Sequence, residues 1–194
     1  MVSDQLIHLL EKVENAKREN RDSVAIIVQR DEKLFAELVF KVFDVNDKLS
    51  VRAAWILEWI ITHYNLLQLL PHIDYFCKHL STLQHDSAIR PCAKICEKLA
   101  TGYIKDNVDI KKALTKKQVD QITEVGFDRL ITPQKIAVKA YTMTTLYLLG
   151  LEKDWVHPEL EHLIRTKIIH ESKGCKARGR HVLELIEKHQ KSSS

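Results

Sequence analysis

The stretch VRAAWILEWII, Val51 to Ile61, carries the reading of the fold. Only Arg52 and Glu58 interrupt its apolarity. That run is too continuous for a helix with one wide face in water, and it fits a helix covered on more than one side. Its opening is an apolar residue, a cation, then a small residue or proline, and this opening returns along the chain. Ile89-Arg90-Pro91, Val138-Lys139-Ala140 and Ala177-Arg178-Gly179 share it. Each leads into apolar residues at helical spacing, such as Leu57, Ile95, Met143 and Leu183. The cations stand 38, 49 and 39 residues apart, and Asp47 and Asp86 precede their arginines by five and four residues. A recurrence near 40 residues is the sign of a stacked helical repeat.

Working outward, helical periodicity runs almost throughout, and breakers fall between the periodic stretches. Gly102, Gly150 and Gly174 each follow an apolar run, where a C-terminal cap calls for a positive φ. Pro91, Pro133 and Pro158 sit near helix starts, where a missing N–H costs little. Thr115-Lys116-Lys117-Gln118 has the form of a capping box. The punctuation predicts about ten helices: near 3–19, 22–30, 31–44, 48–64, 66–82, 87–101, 116–130, 133–149, 158–171 and 174–190. The stretch 103–114 (YIKDNVDIKKAL) is the one long connection, and it falls in the longest interval between repeats. The expected organisation is one domain over 1–194. It has a capping helix at 1–19, repeats over 20–190 with an insertion at 103–114, and a disordered tail at 191–194. Helix content of about 70–75% follows, against an ordinary share near a third.

Composition limits the function classes. The 194 residues are 45% hydrophobic and 29% charged, with a net charge of +4, short of the balance expected of a dedicated nucleic-acid coat. No apolar run reaches the ~18–20 residues of a membrane span. The N-terminus, MVSDQLIHLLEKVE, turns acidic within four residues, unlike a signal peptide. The expectation is a cytoplasmic protein that binds no membrane.

An aspartate, an apolar-Arg pair and an Ala-rich helix at a period near 40 resemble the HEAT repeat and its armadillo relatives. Leu66-Leu67-Gln68-Leu69-Leu70-Pro71-His72-Ile73 looks like the first helix of such a unit, with its bending proline. The resemblance covers about residues 20–190. It is good at Arg52 and Arg90, fair at Arg178, and weak at Lys139, where Thr144 and Thr145 interrupt the apolar pattern. It implies an all-α fold, a right-handed α-α superhelix of about five helix pairs, with the second helices lining a concave face. RAAWILEW, HDSAIRPCAKICE, VKAYTMTTL and CKARGRHVL also resemble a group of small bacterial helical-repeat proteins that often carry the name adenylosuccinate lyase. The Ser-Ser-x-Met-Pro-x-Lys-x-Asn signature of that lyase superfamily is not in this sequence, whose only consecutive serines are at its end.

The candidate groove residues are the repeated cations and the polar or aromatic residues just after them: Arg90, Lys94, Lys139, Tyr141, Lys176, Arg178, Arg180 and His181. Guanidinium and ammonium groups in a row suit an acidic peptide or phosphates. The competing role is structural, each cation tying one repeat to the next, and the neighbouring aspartates favour that role for Arg52 and Arg90. The densest positive stretch is 165–180, where Arg165, Lys167, Lys173, Lys176, Arg178 and Arg180 face the single acid Glu171. It makes nucleic-acid binding the alternative to protein binding. Glu58, between Trp55 and Trp59, is either paired or a shifted acid of an enzyme site. Cys92 and Cys96, with Cys77 on a preceding helix, are read as buried, reduced core residues. His157 and His162 are five apart and align poorly for a metal, so neither metal nor cofactor is expected. No Ser-His-Asp order, phosphate-gripping glycine loop or nucleotide fingerprint is visible. The expected function is a non-catalytic binding module for a protein or an acidic peptide.

Overall fold

Helices form where apolar periodicity places them, and they break where side chains compete with the backbone. The computed structural model describes residues 2–193; it is 80% helical, with no strand among the described residues. α1 (Asp4–Glu11) is capped by Ser3, whose hydroxyl accepts from the Leu6 N–H. α2 (Arg18–Val28) leads to α3 (Glu32–Val42), where Asp31 accepts from the Lys33 and Leu34 N–H groups. α4 (Leu49–His63) is the VRAAWILEWII helix. A 3-10 segment, Leu66–His72, runs into α5 (Ile73–His79) and a second 3-10 turn, Leu80–Thr82. α6 (Asp86–Ile104), α7 (Val108–Ala113), α8 (Lys116–Ile131) and α9 (Ile136–Gly150) follow. α10 (Val156–Leu163) continues through a π turn, Ile164–Ile168, into α11 (Ile169–Glu171), and α12 (Lys173–Ser193) ends the described chain. The box at Thr115 forms as expected, its N–H donating to the Gln118 side chain at 3.0 Å.

Local side-chain chemistry explains the departures from expectation. The helix expected over 3–19 splits, because the Asn15 side chain takes the Lys17 N–H and the Asn20 amide and holds a turn there. The helix expected over 66–82 is largely 3-10: Pro71 has no N–H to give an α-helical ladder. The connection over 103–114 contains α7, capped by Asn107, and its turn uses Asp106 at a φ of 55°. Residues 191–193 belong to α12 rather than to a tail, and residue 194 lies outside the described residues.

None of the described glycines has a positive φ, so the expected caps at Gly102, Gly150 and Gly174 are not made that way. Two of these glycines serve close approach. A Cβ at Gly102 would fall 2.3 Å from Ile110 Cδ1, and one at Gly150 would fall 2.2 Å from His157 Cδ2. Pro91 lies inside α6, five residues after its first residue, Asp86. Its missing N–H leaves the Ser87 carbonyl without an intrahelical donor, and the Trp55 indole donates to that oxygen at 3.0 Å.

Packing follows chain order. α2, α4, α6, α9 and α12 touch in succession; α3 lies against α4, α5 against α8, and α8 and α10 against α9. One apolar cluster extends from Leu6 to Ile122 and reaches Val138 and Leu149; a second joins Leu130, Met143, Leu160, Ile164, Val182 and Ile186. α9 contributes to both and holds them together.

Two tests come from the Gly150–His157 contact. Gly150→Ala is expected to cost about 1–3 kcal/mol in urea denaturation, because the His157 ring is stacked on Tyr147 and bonded to its carbonyl at 2.8 Å and has little room to retreat. Burial lowers the pKa of His157 from its ordinary 6.5, the Tyr147 carbonyl opposing and His189 adding to the shift. Burial lowers that of His72 as well. Below 6.5 the unfolded chain therefore binds protons that the folded chain refuses. This stability is complete above that pH and is lost as pH falls beneath it. Melting temperature should drop between pH 7.5 and 5.5, and His157→Gln should flatten part of that slope.

Candidate functional site

On the successive helices α2, α4, α6, α9 and α12, helical spacing decides which side chains lie opposite the core. On α6 the core takes Ala88, Cys92, Ile95, Cys96 and Leu99, so Arg90, Lys94, Glu97 and Thr101 form the opposite stripe, all half-buried. On α4 the half-buried positions include Arg52, Trp55 and Thr62.

Glu58 is the centre of this face. Its side chain is 3% exposed, yet both carboxylate oxygens are bonded. Lys94 of α6 and the Thr62 hydroxyl donate to Oε1 at 2.5 and 3.1 Å, and Arg21 of α2 donates to Oε2 at 3.2 Å. One carboxylate thus ties three helices. Arg21 lies over the Trp59 ring, 4.3 Å from its centroid, and its pKa is lowered chiefly by burial; Glu58 opposes the shift and Arg90 adds to it. Trp59 donates to Asp22 at 2.8 Å and stacks on His63, while Tyr64 donates to Asp22 at 2.5 Å. Those two hydrogen bonds hold the Asp22 carboxyl below its usual range. With its oxygens occupied, Glu58 is a joint; to act as a general base it would have to shed a cation.

The polar face continues to α12. Glu97 has its pKa raised by burial, and the Thr144 hydroxyl and Arg178 pull it back; Arg178 in turn lies 3.4 Å from the Thr144 oxygen. Tyr141 is half-buried one turn before Thr144. Among the sequence candidates, then, Arg90, Lys94, Tyr141 and Arg178 occupy this face. His181 is exposed on the same flank of α12 as Arg178.

Three other candidates are elsewhere. Lys139 is 1% exposed, its ammonium 2.6 Å from Glu171 and 3.2 Å from the Leu130 carbonyl, so it is a buried tie. Lys176 and Arg180 lie across the buried stripe Cys175–Gly179–Val182 from Arg178, on the other flank of α12. The basic stretch is partly consumed as well: Arg165 pairs with Glu161, and Lys167 caps the Ile131 carbonyl. Sequence reasoning missed Arg21, because the helix expected to start at 22 left it outside. It also missed Arg129, which donates to the Leu80 and Leu83 carbonyls at 3.3 and 2.9 Å.

The cysteines are free and buried. Burial pushes the Cys96 thiol up to about 12 and raises those of Cys77 and Cys92, which keeps them protonated and poor metal ligands. No metal-holding group of three or more His, Cys, Asp or Glu occurs among the described residues, and none of the described helices is long and apolar enough to cross a membrane. Cys92 and Cys96 border a mostly apolar cavity of about 30 Å³, also lined by Leu83, Ile122 and Arg129. No known protein family, curated protein or solved structure matches the chain.

Removing the central acid tests the joint. Glu58→Gln should lower stability by about 3 kcal/mol in urea denaturation, because Arg21 and Lys94 lose their shared counter-charge while partly buried. A loss under about 0.5 kcal/mol would mean that the three helices do not depend on it.

Proposed function

We propose that the protein is a non-catalytic binding module, a right-handed HEAT-like solenoid of about five helix pairs, whose open face takes an acidic protein segment. The carrying observation is the arrangement of charge on that face. Arg21, Arg90, Lys94 and Arg178 come from three of the five successive helices, α2, α6 and α12, with Trp55 of α4 and Tyr141 of α9 half-exposed among them. Interfaces favour such a mixture: arginine forks for carboxylates and flat aromatic area for the backbone and apolar parts of a partner. The acids on this side, Glu58 and Glu97, are already engaged within the face. Nucleic acid is the second reading, supported by exposed Lys173, Lys176 and Arg180 on α12, which have no ion pair among the described residues. The lyase reading has no signature residues behind it.

The test uses a fluorescent Glu- and Asp-rich peptide, a Lys-rich control and a DNA duplex, each titrated at two salt concentrations. The acidic peptide should bind, and the joint change Arg90→Ala, Tyr141→Ala and Arg178→Ala should weaken it at least tenfold. Melting temperature should move by only a few degrees. Arg90 has no bonded partner among the described residues, Tyr141 is half-buried, and Arg178 gives up a 3.4 Å contact to Thr144 and its pull on Glu97, changes of about 0.5 kcal/mol each. Duplex binding with a steep salt slope, insensitive to the triple change, would favour the basic face of α12 instead.

A further inference from the structure

Two of the repeated cations share a duty that a third, Arg90, does not perform. Arg52 donates to the Leu10 and Glu11 carbonyls at the end of α1, at 3.2 and 2.9 Å. Lys139 donates to the Leu130 carbonyl at the end of α8. Each satisfies orphan carbonyls at a helix C-terminus, where a positive charge also suits the dipole. By the same pattern Arg90 should cap the segment that ends at Leu80–Leu83. Those carbonyls are taken by Arg129, reaching in from α8. Asp86, the acid that precedes Arg90 in sequence, faces Lys135 at 3.9 Å. Arg90 is left with neither a hydrogen bond nor an ion pair among the described residues, and its charge bears on Arg21, another cation.

Its position is fixed by two contacts between α4 and α6. Trp55 meets Ser87, and Glu58 meets Lys94 two turns further along α6. Arg90 lies between those levels, on the same stripe as Lys94. Arg21 adds a second unsatisfied donor, because its Nε is buried without a partner. The local sum is three cations against the single carboxylate of Glu58. Asp22 keeps its charge but is bonded to Trp59 and Tyr64 and to none of these three cations, and Glu97 is engaged by Thr144 and Arg178.

We propose that Arg21, Arg90 and Lys94 form an anion site beside Trp55 that takes a phosphate monoester dianion, carried by the acidic segment that binds the face. This rests on the binding-module reading and sharpens it. An excess of two positive charges matches a dianion, whereas one carboxylate or one nucleic-acid diester supplies a single charge. A monoester also offers three terminal oxygens, enough to accept from both prongs of the Arg90 fork and from a further donor at once, while Arg21 contributes its charge.

The experiment compares three probes by fluorescence anisotropy and competition: an acidic peptide with one phosphoserine, the same peptide with aspartate there, and inorganic phosphate. The phosphopeptide should bind at least tenfold tighter than its aspartate twin, and inorganic phosphate should compete. Arg90→Gln should erase that preference without lowering the melting temperature, because it removes a repulsion with Arg21 rather than a tie. Lys105→Gln, at the exposed end of the same helix, should preserve it. Phosphate that competes, with no gain for the phosphopeptide, would keep the site and assign it to a small phosphate compound. Equal binding of both peptides, weakened equally by Arg90→Gln, overturns the phosphate site and leaves the acidic groove standing. Binding of neither peptide and of no phosphate overturns both, and an oligonucleotide that outbinds the phosphopeptide overturns the monoester preference.

Discussion

A helix cannot satisfy its own last carbonyls, and a stack of helices buries some of those ends against neighbours. In this protein long cationic side chains reach across and supply the missing donors. Arg52 does so for α1, Arg129 for the segment after α5, Lys139 for the end of α8, and Lys167 for the Ile131 carbonyl beside it. Each reach also joins two separate elements, so satisfying the backbone and fixing the packing are one act. Where the cation is itself buried, as at Lys139, an acid from a third element balances it. The Glu58 joint follows the same economy with the signs reversed, one buried carboxylate drawing cations from two flanking helices.

Much of this architecture is legible in the sequence. The apolar run of α4 and the recurring cation mark the helices that pack in succession, and the Thr115–Gln118 box marks the start of α8. What escapes are events decided by a single side chain. Asn15 breaks a periodic stretch because its amide competes for backbone N–H groups, and periodicity does not register that competition. The glycines look like caps because they follow apolar runs. Gly102 and Gly150 instead give room to Ile110 and His157, residues that only the tertiary fold brings near.

The open face was legible in part, for a physical reason. Spacing within one helix gives directions reliably, so Arg90 and Lys94 fall together on α6. Which flank of a helix faces a neighbour depends on the packing, and that separates Arg178 and His181 from Lys176 and Arg180 on α12. Glu58 stood out as an acid in an apolar helix, but its partner Arg21 carries no repeat signature. Glu184, which follows Arg178 by six residues as Glu58 follows Arg52, is exposed.

Pro91 has an effect beyond its own helix. By lacking an N–H it leaves one interior carbonyl of α6, that of Ser87, open to an outside donor, and the Trp55 indole takes it. A slide of α6 along α4 by one turn, about 5.4 Å, would set that indole against a carbonyl already occupied by its own helix. The two helices therefore have a single alignment in which the indole is satisfied. An imino acid in one helix and an aromatic ring in another act as notch and pin, and the spacing of the charges on both is set by where the pin drops.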